Sequence, residues 1–378
     1  MVNSFRYRSG RGKGLIRCFL TALLLQMACM QPCHAEQETD SIQVVKPNKW
    51  RHVTERLYQR VKAFSHIDTA YVEAQKYNFT VMVQSINTYE TYRVSSSSGQ
   101  SVRFSPKPSM KVGPYVGWRW IVWGYTVDFS HLSDGHKKQD FMVSLYSNQV
   151  GLDLFYRKTG NDYRIKDLNL GPAVNTSSLE NMTFDGIRAS IKGFNLYYIF
   201  NHKRFSYPAA YSQSTRQLRN AGSVLAGFGY TRHSLSIDWN KLQTLIDDEL
   251  QPSSDEATLN PDLKFQSIHY TDISLSLGYA YNWVFAHNWL FNSSLSLALG
   301  HKHTSGDLAE NNFLFKGFSL ENFNVDGVGR FGLVWNNSRW YSGASAIFHT
   351  YNYKKQQFRT NNFFGTLTLY VGYNFGKK

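Results

Sequence analysis

Three groups of residues in this 378-residue sequence have types and spacings that could do chemistry. His301 and His303 are followed by Ser305, with Asn311 and Asn312 close behind. A serine activated by a histidine that an amide orients is the machinery of a hydrolase, so His303 and Ser305 are the catalytic candidates if the protein modifies lipids. The signal is weakly specific, because His-x-Ser occurs again at His131-Leu132-Ser133. Exposed loop histidines are the plainer alternative. The second group is Asp128, Asp153, Arg188, Lys192, Asp272, Asp326 and Arg330, which fall on the polar side of alternating segments and are expected to line a lumen. Charges of both signs there would either knit a network that fills a small barrel or line a polar pore or ligand pocket, and in each case they must pair or stay wet. The third group, Asp247, Asp248, Glu249, Asp255 and Glu256, lacks the spacing of a calcium loop and reads as a solvated acidic segment. No Walker, Rossmann or zinc pattern occurs, so no cofactor and no metal site is assigned.

These residues need a scaffold, and hydropathy supplies it. From Tyr77 onward apolar and polar residues alternate with period two. In 271–283, for example, Ile273, Leu275, Leu277, Tyr279, Tyr281 and Trp283 alternate with Asp272, Ser274, Ser276, Gly278 and Asn282. The stretches 121–130, 322–336 and 362–375 behave the same way. Such stretches run to about 11–17 residues, whereas globular strands average five or six and a tilted strand crossing a bilayer needs roughly nine to eleven. Tight links at Trp118-Arg119-Trp120, Lys158–Asp162, Ala286-His287-Asn288 and Asn336-Asn337-Ser338 alternate with longer polar ones at 131–139, 170–186, 236–265, 303–321 and 352–361. Short turns at one end and long loops at the other mark a barrel that faces two compartments.

The expected fold is therefore all-β, a transmembrane antiparallel β-barrel of about 12 strands within a range of 10–14, with a short N-terminal periplasmic helix. The strands are placed at 77–93, 101–118, 120–131, 140–156, 162–169, 187–202, 220–235, 266–284, 289–302, 322–336, 339–351 and 362–376. Three features resist this scheme. Pro106 and Pro108 interrupt the second strand, and the parity of 140–156 shifts near Asn148, implying a bulge or a hidden turn. The link 203–219 is long where a short one is due.

The N-terminus has a different character. Arg6, Arg8, Arg11, Lys13 and Arg17 precede a mainly apolar stretch from Cys18 to Met30, and Cys33-His34-Ala35 then places a small residue before Glu36. That pattern is a secretory signal peptide over 1–35. Its removal takes away all three cysteines and lowers Lys+Arg from 41 to 36 against 27 acids, leaving a net charge of +9 rather than +14. Thiol chemistry and disulfides are thereby excluded for the mature chain, and export turns the positive charge toward anionic lipid or ligand rather than nucleic acid. Residues 36–76 form a polar periplasmic segment in which Val53, Leu57, Val61 and Phe64 mark an amphipathic helix at about 49–64. The barrel occupies 77–378. Lipid modification at Cys29 or Cys33 is disfavoured because Gln26 stands where an aliphatic residue is usual.

The mean hydropathy is −0.40, yet 59 of the 378 residues are Phe, Tyr or Trp. Many sit beside the predicted short turns: Trp118, Trp120 and Trp123, then Trp283 and Trp289, then Trp335 and Trp340, and finally Tyr373 and Phe375. Amphipathic rings at strand ends are expected to form an interface girdle. Tyr77-Asn78-Phe79, Gly99-Gln100-Ser101, the run Lys111-Val112-Gly113-Pro114-Tyr115-Val116-Gly117-Trp118-Arg119-Trp120 and the run Leu154-Phe155-Tyr156-Arg157-Lys158-Thr159-Gly160-Asn161-Asp162-Tyr163 resemble domain-of-unknown-function family 4421 of secreted Bacteroidetes proteins, most strongly over 70–165. The resemblance implies the outer membrane of a Gram-negative cell and carries over no catalytic or binding residue. The functional expectation is an outer-membrane barrel, either a narrow channel for small polar solutes or a structural or interaction protein, with a lipid-modifying hydrolase as the alternative. Its expected partners are outer-membrane lipids and the barrel-assembly machinery, with no nucleic acid and no identified small-molecule ligand.

Overall fold

Alternating residues of the kind just described can form only extended chain, and the computed structural model is built almost wholly from it. It describes residues 66–118, 121–128, 139–158, 162–251, 257–265, 267–306, 323–354 and 357–377. The predicted signal peptide, the helix at about 49–64, Trp120, Asn311 and Asn312 lie outside them. In chain order the elements are β1 (Val72–Ala74), β2 (Tyr77–Ser96), β3 (Ser101–Pro106), β4 (Ser109–Trp118), β5 (Ile121–Gly124), β6 (Val127–Asp128), β7 (Gln139–Tyr146), β8 (Val150–Lys158), β9 (Tyr163–Asn169) and β10 (Ile187–Ile199). There follow α1 (Pro208–Tyr211), β11 (Thr215–Gln217), β12 (Ala221–Ile237), α2 (Trp239–Leu250), β13 (Ser267–Ala286), β14 (Trp289–Gly306), β15 (Phe323–Asn336), β16 (Trp340–Lys354) and β17 (Phe358–Lys377).

Twelve strands make one antiparallel wall in the order β5-β4-β2-β17-β16-β15-β14-β13-β12-β10-β8-β7. Chain neighbours are wall neighbours, and the first long strand pairs with the last from Lys377↔Tyr77 to Phe358↔Ser96. The two ends of this path, β5 and β7, are joined through 129–138, and no pairing between them occurs among the described residues. β6 prolongs β5 against β4, and β3 prolongs β4 against β2 beyond the break at Pro106 and Pro108, where proline has no N–H for the ladder.

The number twelve hides two compensating differences from the sequence reading. The segment 140–156 is two strands, β7 and β8, meeting at a tight turn in which the Val150 amide donates to Ser147 Oγ at 2.9 Å. The segment 162–169 is β9, which leaves the wall to pair with β3, so that β8 lies directly against β10. The link after Lys158 therefore belongs to the long-loop end rather than the short-turn end. The link expected at 352–361 shrinks to the few residues between Lys354 and Phe358.

What marks the wall as membrane-spanning is its polarity. On β13 and β14 the outward residues are Ile273, Leu275, Leu277, Leu295, Leu297 and Leu299, with Leu275 69% and Leu277 66% exposed. Their inward neighbours Asp272, Ser274, Asn282, Asn292, Ser294 and Ser296 are buried. Apolar outside and polar inside is costly in water and correct in lipid.

The belt does not reach the whole length of the sheet. A 20-residue strand such as β13 is about 66 Å long at roughly 3.3 Å per residue, well beyond an apolar band about 25 Å tall. Past the belt, toward the long-loop end, the faces exchange roles. Ile187, Ala189, Ile191, Leu235, Ile237 and Ile268 now point inward and join Val102, Phe104, Tyr163, Ile165 and α2 residues Trp239, Leu242 and Ile246 in one apolar core. Helix α2 is started by Asp238, whose Oδ1 accepts from the Lys241 amide at 3.0 Å, and is tied down by Trp239 Nε1 donating to Phe265 O at 2.8 Å.

Candidate functional site: the filled lumen

At the short-turn end lies the 200–220 link, the connection that is too long for its place. It enters the mouth of the wall. Phe205, Tyr207, Ala209 and Ala210 are buried there, with Pro208 opening the single turn of α1, where its fixed φ and missing N–H cost nothing. Tyr146 of β7 stacks on Tyr211 at 5.3 Å, and Tyr197 of β10 meets Tyr207 edge-on at 5.8 Å. The phenolic tips then reach the polar wall. Tyr207 Oη and Ser294 Oγ share a hydrogen bond of 2.6 Å, and Tyr211 Oη donates to Asn292 Oδ1 at 2.6 Å. Gln213, held at φ 58°, donates to Tyr370 Oη at 2.9 Å and accepts from Asn336 Nδ2 at 3.0 Å. Asn282 Nδ2 donates to Ser206 O and Gln217 Oε1, each at 2.9 Å. β11 of the link pairs with β1, and Arg216 bridges to Glu73 at 2.9 Å. The plug thus touches β7, β10, β13, β14, β15 and β17.

Above the plug, charged side chains join strands. Arg330 of β15 pairs with Asp153 of β8, with four strands between them along the wall, and lies over the Tyr197 ring at 4.8 Å. Ser144 Oγ donates to the other Asp153 oxygen at 2.6 Å. Arg157 of β8 pairs with Glu90 of β2 at 3.3 Å, and Tyr163 Oη donates to the same carboxylate. Lys302 of β14 reaches both oxygens of Asp326 at 3.0 and 3.1 Å and also donates to Asn352 O. Asp272 is the register partner of Lys302. Asp153 is 0% exposed, Arg330 2% and Lys302 1%. An ion buried so deeply is tolerable only when paired, and each of these is.

Of the seven lumen candidates, Asp153, Asp272, Asp326 and Arg330 are buried inside the wall, and Asp128 accepts from the buried Ser109 Oγ at 2.5 Å. Arg188 and Lys192 are placed differently. They are exposed on the outward face of β10, while Ile187, Ala189 and Ile191 turn inward. Both lie past the apolar belt, where alternation persists but its meaning is reversed. His303 is exposed on the outward face of β14 with Thr271 as its register partner, and Ser305 is opposite His269. Among the described residues no group of His, Cys, Asp or Glu gathers as a metal site.

The ring residues collect near the short turns. Trp118, Trp283, Trp289, Trp340 and Phe375 are exposed, and Trp335 and Tyr373 are half-buried. Trp340 lies against Tyr373 at 4.6 Å, and Phe375 stacks on Phe79 at 5.4 Å. Trp123 lies on β5. Glu90, Arg157, Lys302 and the plug residues were not singled out from the sequence. The anomalous length of 203–219 was the available sign of the plug, together with inward asparagines at the ends of the facing strands.

The chain belongs to the family described as a domain of unknown function, DUF4421, whose model matches residues 66–375. No curated protein matches it. Among solved structures it is similar to the outer membrane protease OmpT from Escherichia coli, at 8% identity and a TM-score of 0.34, covering 79% of this chain and 97% of that one. It is similar also to the translocator domain of the autotransporter NalP from Neisseria meningitidis, at 10% identity and a TM-score of 0.30, covering 86% and 96%. A third is the P. putida toluene transporter TodX, at 9% identity and a TM-score of 0.23, covering 80% and 91%.

Proposed function

We propose that this protein is a plugged β-barrel of a Gram-negative outer membrane that acts as a structural or interaction element rather than as a standing open channel. In this reading residues 1–35 are removed on export, 36–76 form a periplasmic segment, and the barrel-assembly machinery inserts 77–378 among outer-membrane lipids. The observation that carries it is the seated plug: a link from the middle of the chain enters the short-turn mouth and hydrogen-bonds to four wall strands, β13, β14, β15 and β17. The ion pair Arg330–Asp153 and the apolar core at the long-loop end add two further layers of packing.

Planar-bilayer recordings test this. The purified full chain is expected to insert without steady conductance steps. Steady conductance by the unaltered chain would overturn the proposal in favour of a narrow channel.

A further inference from the structure

The outward face just past the lipid belt carries positive charge that no carboxylate among the described residues neutralises. Lys192 of β10 and Arg232 of β12 are direct register partners, and both are exposed. Lys158 of β8 and Arg188 of β10, also exposed, lie within two outward rungs, opposite Ser190 and Ser236. Among the described residues no carboxylate pairs with any of these four. Like charges directly opposed across two strands destabilise a sheet. One rung toward the membrane stand the outward rings Phe194 and Tyr230, which are themselves register partners, with Ile273 beyond them. One rung away from it stand Ser190 and Ser234, also partners. His303 lies at the height of Arg232, two strands along through Thr271.

We infer that this face is a binding site for the phosphate group of an anionic membrane lipid in the leaflet at the long-loop end. The inference rests on the reading that the apolar belt lies in a membrane. Its height is that of headgroups, one rung past the outward Phe194 and Tyr230 and level with the exposed Tyr156 of β8. Its chemistry is that of phosphate recognition: a planar guanidinium able to make two parallel hydrogen bonds, an ammonium beside it, and hydroxyls within one rung. An anion seated between Lys192 and Arg232 also removes the repulsion that the bare sheet carries. The fixed position beside hydrocarbon-facing rings selects a lipid, whose tail can lie along the belt, over a free ion.

The test uses the full chain in a zwitterionic detergent, delipidated and then offered phosphatidylglycerol or phosphatidylcholine, with retained lipid counted by native mass spectrometry. Phosphatidylglycerol is expected to be retained at least tenfold over phosphatidylcholine. The double variant Lys192→Gln with Arg232→Gln is expected to lose that preference, while Lys241→Gln on α2 keeps it. In the absence of lipid, Lys192→Gln alone is expected to unfold at a higher temperature than the parent, since it removes the repulsion, and this sign excludes simple misfolding as the cause. Equal retention of the two lipids, an unchanged preference in the double variant, or displacement of the lipid by an equal concentration of inorganic phosphate would each overturn the inference. Failure of the membrane reading itself would show separately, as a parent protein soluble without detergent whose gel migration is unaffected by boiling.

Discussion

The lower and upper halves of the same strands obey opposite rules. On β10 the outward residues at the membrane are Phe194 and Leu196, whereas a few residues earlier they are Arg188 and Lys192. Inward, Asn195 is followed back along the strand by Ile191, Ala189 and Ile187. Backbone, register and pleat are continuous through the change. Only the surroundings differ: hydrocarbon outside one half and water outside the other. Alternation reports that a strand has two unlike faces, and the solvent decides which of them is the inside.

Four changes would break or sharpen that contrast. The largest effect is expected in the membrane half from Asp153→Ala, which strands the Arg330 charge in the lumen and should cost about 3–5 kcal/mol in denaturant unfolding from detergent. Replacing both partners with leucine should recover most of it. In the upper half stability rests on apolar packing, so Leu242→Ala in α2 should cost about 2–5 kcal/mol by leaving a cavity. Arginine in place of Leu277 on the lipid face should cost about 2–4 kcal/mol, and in place of Ser234 on the outward upper face only the like-charge repulsion of Lys192 and Arg232, at most about 1 kcal/mol. Near-equal penalties at the two positions would sink the two-solvent account.

The smallest effect is electrostatic and confined to the upper half. The Lys241 ammonium donates to Asp185 at 2.5 Å and holds that carboxyl below its ordinary value of 3.8. A depressed folded value means the stabilisation is present above pH 3.8 and is lost as the pH falls from there through the folded value. Both side chains are half-exposed, so the loss should be at most about 1 kcal/mol, and Lys241→Gln should abolish it in acid titrations of unfolding.

Much of the wall was legible because apolar residues recur at every second position along most of Ile273–Trp283 and Phe363–Phe375, although Ala280, Phe364 and Tyr370 also turn inward. The hidden turn at Ser147–Gln149 was visible only as a parity shift, since Ser, Asn and Gln suit a loop and a lumen equally well. The partners of the buried charges were not legible at all. Asp153 and Arg330 are 177 residues apart, and nothing local in either strand specifies the other. Arg188 and Lys192 show a subtler limit, for their place depends on how high they stand relative to a membrane that leaves no mark on parity.

The pairing of β2 with β17 brings the first and last long strands of the sequence into one ladder. The insert at 203–217, from the middle of the sequence, hydrogen-bonds to Tyr370 on one of those two strands. The middle of the chain and its last strand are thus fastened to each other directly as well as through the strands between them.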